Sequence, residues 1–184
     1  MILGTVGLPR SGKSTFVSKI MDRRNFAIVS RDSIRLNLYG HRFFQPGESM
    51  VKAISETMFR SLVDRGCDII LDETNLNIDA RYYWQKLVKE KIFWIHVNTK
   101  SEKCKERAII TSQSELVPII ESMEKSFEKP HKDEGVLVTI DENCNFSPYG
   151  YNILSVRNFD DFMERINNFD FSIWKDIIEK KFPD

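Results

Sequence analysis

The sequence has little of what marks several large classes of protein. Three cysteines occur, Cys67, Cys104 and Cys144, an odd number at no metal-ligand spacing, and His41, His96 and His131 stand apart from one another. Neither a disulfide framework nor a zinc site is expected from them, and the thiols read as reduced and mostly packed. Charges interrupt every apolar run well before about 18 residues, so no membrane span is expected. The apolar opening, residues 1–8, has no basic leader and runs straight into a glycine-lysine loop, so no signal peptide and a cytoplasmic location are expected. There is no repeat, no low-complexity segment and no evident linker among 8 Gly and 6 Pro. Charge of one sign is missing too: Lys+Arg and Asp+Glu both total 27, which argues against a protein that coats long stretches of nucleic acid.

What is present suits one soluble core. Of the 184 residues, 41% are apolar and 29% charged, enough for one catalytic domain and too few for two. The zero net charge hides an asymmetry. Residues 1–42 hold eight basic groups (Arg10, Lys13, Lys19, Arg23, Arg24, Arg31, Arg35, Arg42) against Asp22 and Asp32, a balance of +6, whereas 142–184 hold five bases and eight acids, or −3. Something anionic is expected to meet the first quarter of the chain.

Periodicity divides the chain into alternating strands and helices. Strands are expected at 2–6, 26–30, 67–71, 92–97 and 136–140, and helices at 13–22, 34–39, 48–65, 79–90, 101–110 (capped by Ser101), 117–127, 159–168 and 172–181. A turn-rich patch covers 145–150. This order implies an α/β fold, a parallel five-stranded sheet with helices on both faces. Residues 1–141 read as that domain and 142–184 as a short helical C-terminal extension packed on it.

The first loop carries the clearest chemistry. Gly7-Leu8-Pro9-Arg10-Ser11-Gly12-Lys13-Ser14, followed by Thr15, fits G-x-x-x-x-G-K-[ST] between a strand and a helix. The glycines let backbone N–H groups close around a phosphate, Lys13 bridges the outer phosphates, and the Ser14 hydroxyl can sit on Mg²⁺. A P-loop that binds a nucleoside triphosphate is expected.

An open α/β sheet places ligands at the carboxyl ends of its strands. At the end of the second strand stand Asp32 and Arg35, one helical turn apart. The carboxylate can accept a proton from an attacking hydroxyl and the arginine can hold an anion on the acceptor; alternatively Asp32 is a helix cap paired with Arg35. At the end of the third strand comes Leu71-Asp72-Glu73-Thr74-Asn75-Leu76-Asn77. A carboxylate there can orient Mg²⁺, and the sequence leaves open whether Asp72 or Glu73 does so, because strand neighbours point to opposite faces. Alternatively this is a polar turn with Asp79 capping the next helix.

These segments, in this order and spacing, resemble the 5′-hydroxyl polynucleotide kinases of the phage type. The resemblance runs through Leu116-Val117-Pro118-Ile119-Ile120 and covers about residues 1–140. It implies a P-loop kinase fold in a cytoplasm (the host's, for a phage protein), ATP as phosphoryl donor with Mg²⁺, and one 5′-hydroxyl end of DNA or RNA as acceptor. It further implies Asp32 as general base, Arg35 on a 3′-phosphate of the acceptor, Thr74 and Asn75 lining the acceptor pocket, and Val117 and Pro118 near the acceptor base. Lys13 and Ser14 would hold donor phosphates and metal. Family lids carry two arginines; Arg107 matches the first and is taken as catalytic, but 108–117 has no second, so either Arg107 does the work or Lys105 helps. No Asp-x-Asp-x-Thr phosphatase signature occurs, so kinase activity alone is expected. A homo-oligomer stays open.

Three other readings compete. A small-molecule kinase of the same fold predicts the same Asp32 but gives Arg35 no terminal phosphate. A nucleotide-gated switch would use Thr99-Lys100-Ser101-Glu102, a near miss to a guanine-reading motif. The tail aromatics Tyr149, Tyr151, Phe159, Phe162, Phe169, Phe171 and Trp174 form either a partner surface or core.

Overall fold

The computed structural model describes residues 1–41, 44–147, 150–170 and 173–181. Six strands form one sheet: β1 (Ile2–Val6), β2 (Ala27–Val29), β3 (Ile69–Leu71), β4 (Ile92–Val97), β5 (Val136–Ile140) and β6 (Phe146–Ser147). Their order is β2-β3-β1-β4-β5-β6. The first five are parallel, as expected, and β6 adds an antiparallel edge in the patch read as turns only. The cause is local. Asp141 accepts the backbone N–H groups of Asn143 (2.8 Å) and Asn145 (2.9 Å) and the Asn145 amide (3.1 Å), with Cys144 at φ 62°, and this turn folds the chain back onto β5.

The helices are α1 (Lys13–Met21), α2 (Arg31–Tyr39), α3 (Glu48–Asp64), α4 (Ile78–Lys86), α5 (Ser101–Ile110), α6 (Val117–Lys125), α7 (Phe159–Asn168) and α8 (Trp174–Lys181). Three local expectations are corrected. α2 starts at Arg31, because the Ser30 side chain accepts the Ser33 N–H and caps it. Asn77, not Asp79, caps α4, its side chain accepting the Ala80 N–H at 2.9 Å. Ser101 lies inside α5, where its hydroxyl donates to Glu124 on α6 at 2.6 Å instead of capping. Among the described residues no helix is long and apolar enough to cross a membrane.

Two apolar cores cover the two faces of the sheet. One gathers Phe59 of α3 and Trp84 of α4 with Ile2, Val6, Ile69 and Leu71. The other joins Phe16, Val17 and Ile20 of α1 to Phe162, Met163 and Ile166 of α7 and Trp174 of α8. Phe159 and Phe169 pack against that second cluster, so these tail aromatics are core and not a partner surface. Tyr151 is half-buried beside His131, at 5.3 Å between rings, while Tyr149 and Phe171 lie outside the described residues. A third cluster under α5 and α6 (Cys104, Ala108, Ile120) also takes in Leu8 and Leu76 from the loops after β1 and β3.

His96 of β4 is 3% exposed and stacks on Phe127, 5.7 Å between ring centres. Burial, reinforced by the charges of Lys129 and Arg81, lowers its pKa to about 4. The unfolded chain therefore takes up a proton on this ring below about pH 6.5 while the folded chain resists until about 4. Stability present above pH 6.5 is lost as pH falls through that window. Melting curves of His96→Phe should be flatter there than the parent's, by on the order of 5 °C between the two ends of the window; parallel curves would remove the ring from the account.

Candidate active site

The loop after β1 is built for close approach. Gly7, at φ 152°, donates its N–H to the Thr74 carbonyl at 2.9 Å, and a Cβ on it would stand 2.7 Å from the Val97 carbonyl. Glycine at this point thus lets the loop thread between the ends of β3 and β4. Gly12, at φ 108°, turns the chain into α1. Lys13 lies back along the loop, its Nζ donating to the Leu8 carbonyl at 2.7 Å, and burial brings its pKa down to about 8 against the opposing pull of Asp72. Thr99 fixes the far side by donating to the Ser11 carbonyl at 2.7 Å. Two buried side-chain polar atoms among the described residues have no hydrogen-bond partner, Ser11 Oγ and Arg10 Nε, and both are in this loop. Such orphans fit a cradle whose natural occupant is a phosphate.

Thr5 of β1 fixes where Asp72 and Glu73 point. Its hydroxyl donates to the Glu73 carbonyl at 2.7 Å and accepts the Glu73 N–H at 3.2 Å, which fixes the chain as it leaves β3. Asp72 then accepts the Ser14 hydroxyl at 2.8 Å, while Glu73 reaches the start of α2, accepting the Arg31 N–H at 2.8 Å. A hydroxyl and one carboxylate suit Mg²⁺, which keeps several waters and takes its remaining ligands from substrate phosphates. Among the described residues no cluster of three or more His, Cys, Asp or Glu forms a metal cage. Ser14 and Asp72, hydrogen-bonded to each other, are the pair that fits the ion, whereas Glu73 is engaged by the Arg31 N–H. Burial pushes Glu73 up to about 7 despite the nearby Arg31.

Capping by Ser30 puts Asp32 in the first turn of α2, exposed, with Arg35 one turn on. Arg35 Nη1 donates to Asp32 at 2.6 Å, and its Nε and Nη2 fork onto Glu48 at 2.6 and 2.7 Å. The fork raises the Arg35 pKa and holds the Glu48 carboxyl below its usual range. Arg35 thus sits between two carboxylates. Glu48, Thr5 and Thr99 are contributors that sequence reading missed. Glu48 had one legible signal, an acid in the first turn of α3.

Asn75 is used inwardly. At φ 44° and 4% exposure, its amide donates to the Thr5 carbonyl at 2.9 Å, and its own carbonyl accepts Arg81 at 3.0 Å. Arg81, buried, forks onto Glu134 in the turn before β5. Thr74 beside it is half-buried, with its carbonyl on Gly7. Val117, half-buried, and Pro118, exposed, open α6.

Arg107 of α5 comes to the P-loop. Its Nη1 donates to the carbonyls of Ser11 (3.0 Å) and Arg10 (3.3 Å), and its Nη2 to that of Glu142 (2.7 Å). Lys105 does not join it, pairing instead with Glu121 on α6 at 3.7 Å. From the loop side, Arg10 Nη2 donates to the Thr111 hydroxyl at 2.9 Å.

Comparison with solved structures finds this fold in kinases. A chain in the structure of a Pnkp1/Rnl/Hen1 complex matches with 25% identity and TM-score 0.54 over 58% of this chain and 38% of that one. A chain in the structure of the Pnkp1/Rnl/Hen1 RNA repair complex matches with 22% identity and TM-score 0.56 over 69% and 46%. This chain thus spans less than half the length of either relative. The APS kinase CysC of Mycobacterium tuberculosis, solved with AMPPNP and APS, matches along 91% of this chain and 95% of its own, at 13% identity and TM-score 0.60. No curated protein matches in sequence. The AAA domain model (AAA_33) matches residues 2–127, more than half of the chain, and the protein belongs to that family, with a P-loop kinase-like α/β fold.

Proposed function

We propose that the protein is an ATP-dependent kinase that transfers the γ-phosphoryl group to the 5′-hydroxyl of a DNA or RNA end. The observation that carries this reading is the pairing of two half-sites at the carboxyl ends of neighbouring strands. Lys13, Ser14 and Asp72 make a donor side, and the Asp32–Arg35 pair makes an acceptor side. Asp32 is close enough for its charge to favour the Lys13 ammonium. Support comes also from the 25% identity to a chain of the Pnkp1-containing complex.

In the transfer, Asp32 accepts the proton of the 5′-hydroxyl as its oxygen bonds to the γ-phosphorus and the bond to the β–γ bridging oxygen breaks. Lys13 and the loop N–H groups hold the donor in line. Ser14 and Asp72 would hold Mg²⁺, which neutralises charge on the β- and γ-oxygens when bound. Arg107 braces the loop, and Arg35 offers its remaining N–H donors to a phosphate on the acceptor. Thr74, Val117 and Pro118 complete the acceptor side.

A second reading is favoured by the Arg35–Glu48 fork, which satisfies the arginine internally. In a small-molecule kinase that fork is structural, and the acceptor carries a hydroxyl without an adjacent phosphate. Label transfer from γ-labelled ATP to 5′-hydroxyl oligonucleotides of DNA and RNA, with and without a 3′-phosphate, separates the two. The expected result is labelled oligonucleotide, with Arg35→Gln losing about tenfold and losing any preference for the 3′-phosphate. No transfer to either polymer overturns the assignment in favour of a small acceptor.

A further inference from the structure

The geometry points to Tyr39 and Phe44 as a stacking platform for the bases that follow the acceptor end, so that the acceptor is a single strand several nucleotides long and not a lone nucleotide. This deepens the proposed function and rests on its acceptor half.

The two rings continue the face of α2 that carries Asp32 and Arg35. Asp32, Arg35 and Tyr39 stand at i, i+3 and i+7, one stripe along the helix. Tyr39 lies about 10 Å beyond Asp32 along the axis. That order is the order of groups in a polynucleotide gripped by its 5′ end: the hydroxyl at Asp32, the first phosphate at Arg35, the next base beyond it.

Phe44 meets the same point from the other side. Its backbone N–H faces the Glu48 carboxylate and helps to hold that group's pKa below the usual range. The same carboxylate takes the Arg35 fork at 2.6 and 2.7 Å, so it joins the arginine to the ring pair. The ring centres of Tyr39 and Phe44 are 4.7 Å apart, with the planes tilted by 40°.

The pair is set before anything binds. A Cβ on Gly47 would stand 2.3 Å from the Tyr39 ring, so that ring lies directly on the backbone that opens α3. Gly40, at φ 72°, ends α2 just after Tyr39 and donates its N–H to the Leu36 carbonyl at 3.0 Å. Phe44 stays 37% exposed. Between Asp32 and Glu48 the sequence holds Arg35 and Arg42 and no acid, which suits a phosphate backbone. Every base has a π-face, so fixed rings beside a cationic group hold a strand without reading its sequence.

The test compares label transfer from γ-labelled ATP to a nucleoside 3′-monophosphate and to a 5′-hydroxyl oligonucleotide of about six nucleotides. In the parent the oligonucleotide should show a KM about tenfold lower than the mononucleotide. Phe44→Leu keeps an apolar contact for Tyr39 but removes the ring, and should bring the two KM values to within about twofold of each other. Phe44→Trp should keep the parent's ratio. Equal KM values in the parent, or a ratio that survives Phe44→Leu, overturn the platform and leave the 5′-hydroxyl assignment in place. KM values that rise together for both acceptors put the effect on Arg35 and overturn the platform as well. A parent that labels neither acceptor overturns the proposed function, and the platform with it.

Discussion

Asp32→Asn should lower turnover in 5′-hydroxyl transfer by about 10²- to 10⁴-fold while nucleotide affinity stays within about twofold. The substitution is nearly isosteric at an exposed position, so folding is not at stake. Arg35 keeps its two bonds to Glu48 and remains in place when Asp32 loses its charge. What disappears is the exposed carboxylate that the proposed function assigns to the proton, already held beside Arg35 at 2.6 Å. Glu73 is half-buried and turned to the α2 backbone, where its carboxyl group accepts the Arg31 N–H. The measurement is kcat and KM for labelled phosphate transfer; unchanged kcat would mean that Asp32 is a helix-face partner of Arg35 and nothing more.

Arg81→Met should destabilise the fold by on the order of 3–5 kcal/mol. The side chain is 2% exposed and makes three hydrogen bonds, two to Glu134 and one to the Asn75 carbonyl. Removing it takes the counter-charge from a largely buried carboxylate, which keeps only the His131 N–H, and a donor from the Asn75 carbonyl. Arg81→Met with Glu134→Leu should regain most of the loss, because the cost lies in the unpaired charge more than in the missing attraction. The same double variant should remain impaired in transfer. Asn75 is held at φ 44° by its amide on Thr5 and its carbonyl on Arg81, and Thr74 next to it holds Gly7. Urea titration reads the first effect and kcat the second; a single variant as stable as the parent would show that water replaces the guanidinium.

The elements legible in the sequence are those whose signals are local. β4, β5 and α7 fall where periodicity put them, because apolar runs bounded by polar turns or a clear amphipathic face need no distant partner. The P-loop was legible for the same reason, its glycines and lysine being consecutive. β6 was not, since two residues carry no period and the strand owes its existence to β5 and the Asp141 turn. The site divides in the same way. Asp32 and Arg35 share a helical turn, and their contact was foreseeable. Glu48, 13 residues beyond Arg35 and across a loop, was not. Asp72 and Glu73 could be ranked only through Thr5, which is 67 and 68 positions away from them. Ser101 had every mark of a cap, and a carboxylate on another helix claimed it instead.

The packing of Phe16 on Phe162, 5.7 Å between ring centres, has a consequence for the order of events during synthesis. Phe16 stands two residues after the P-loop serine, so the floor of that loop is shared with a helix made about 145 residues later. A nascent chain that has emerged only through β5 has all five parallel strands and the whole loop motif, yet α1 still exposes the aromatic face that α7 covers. Chaperones that hold apolar segments have a defined target in that interval, which closes when α7 covers α1.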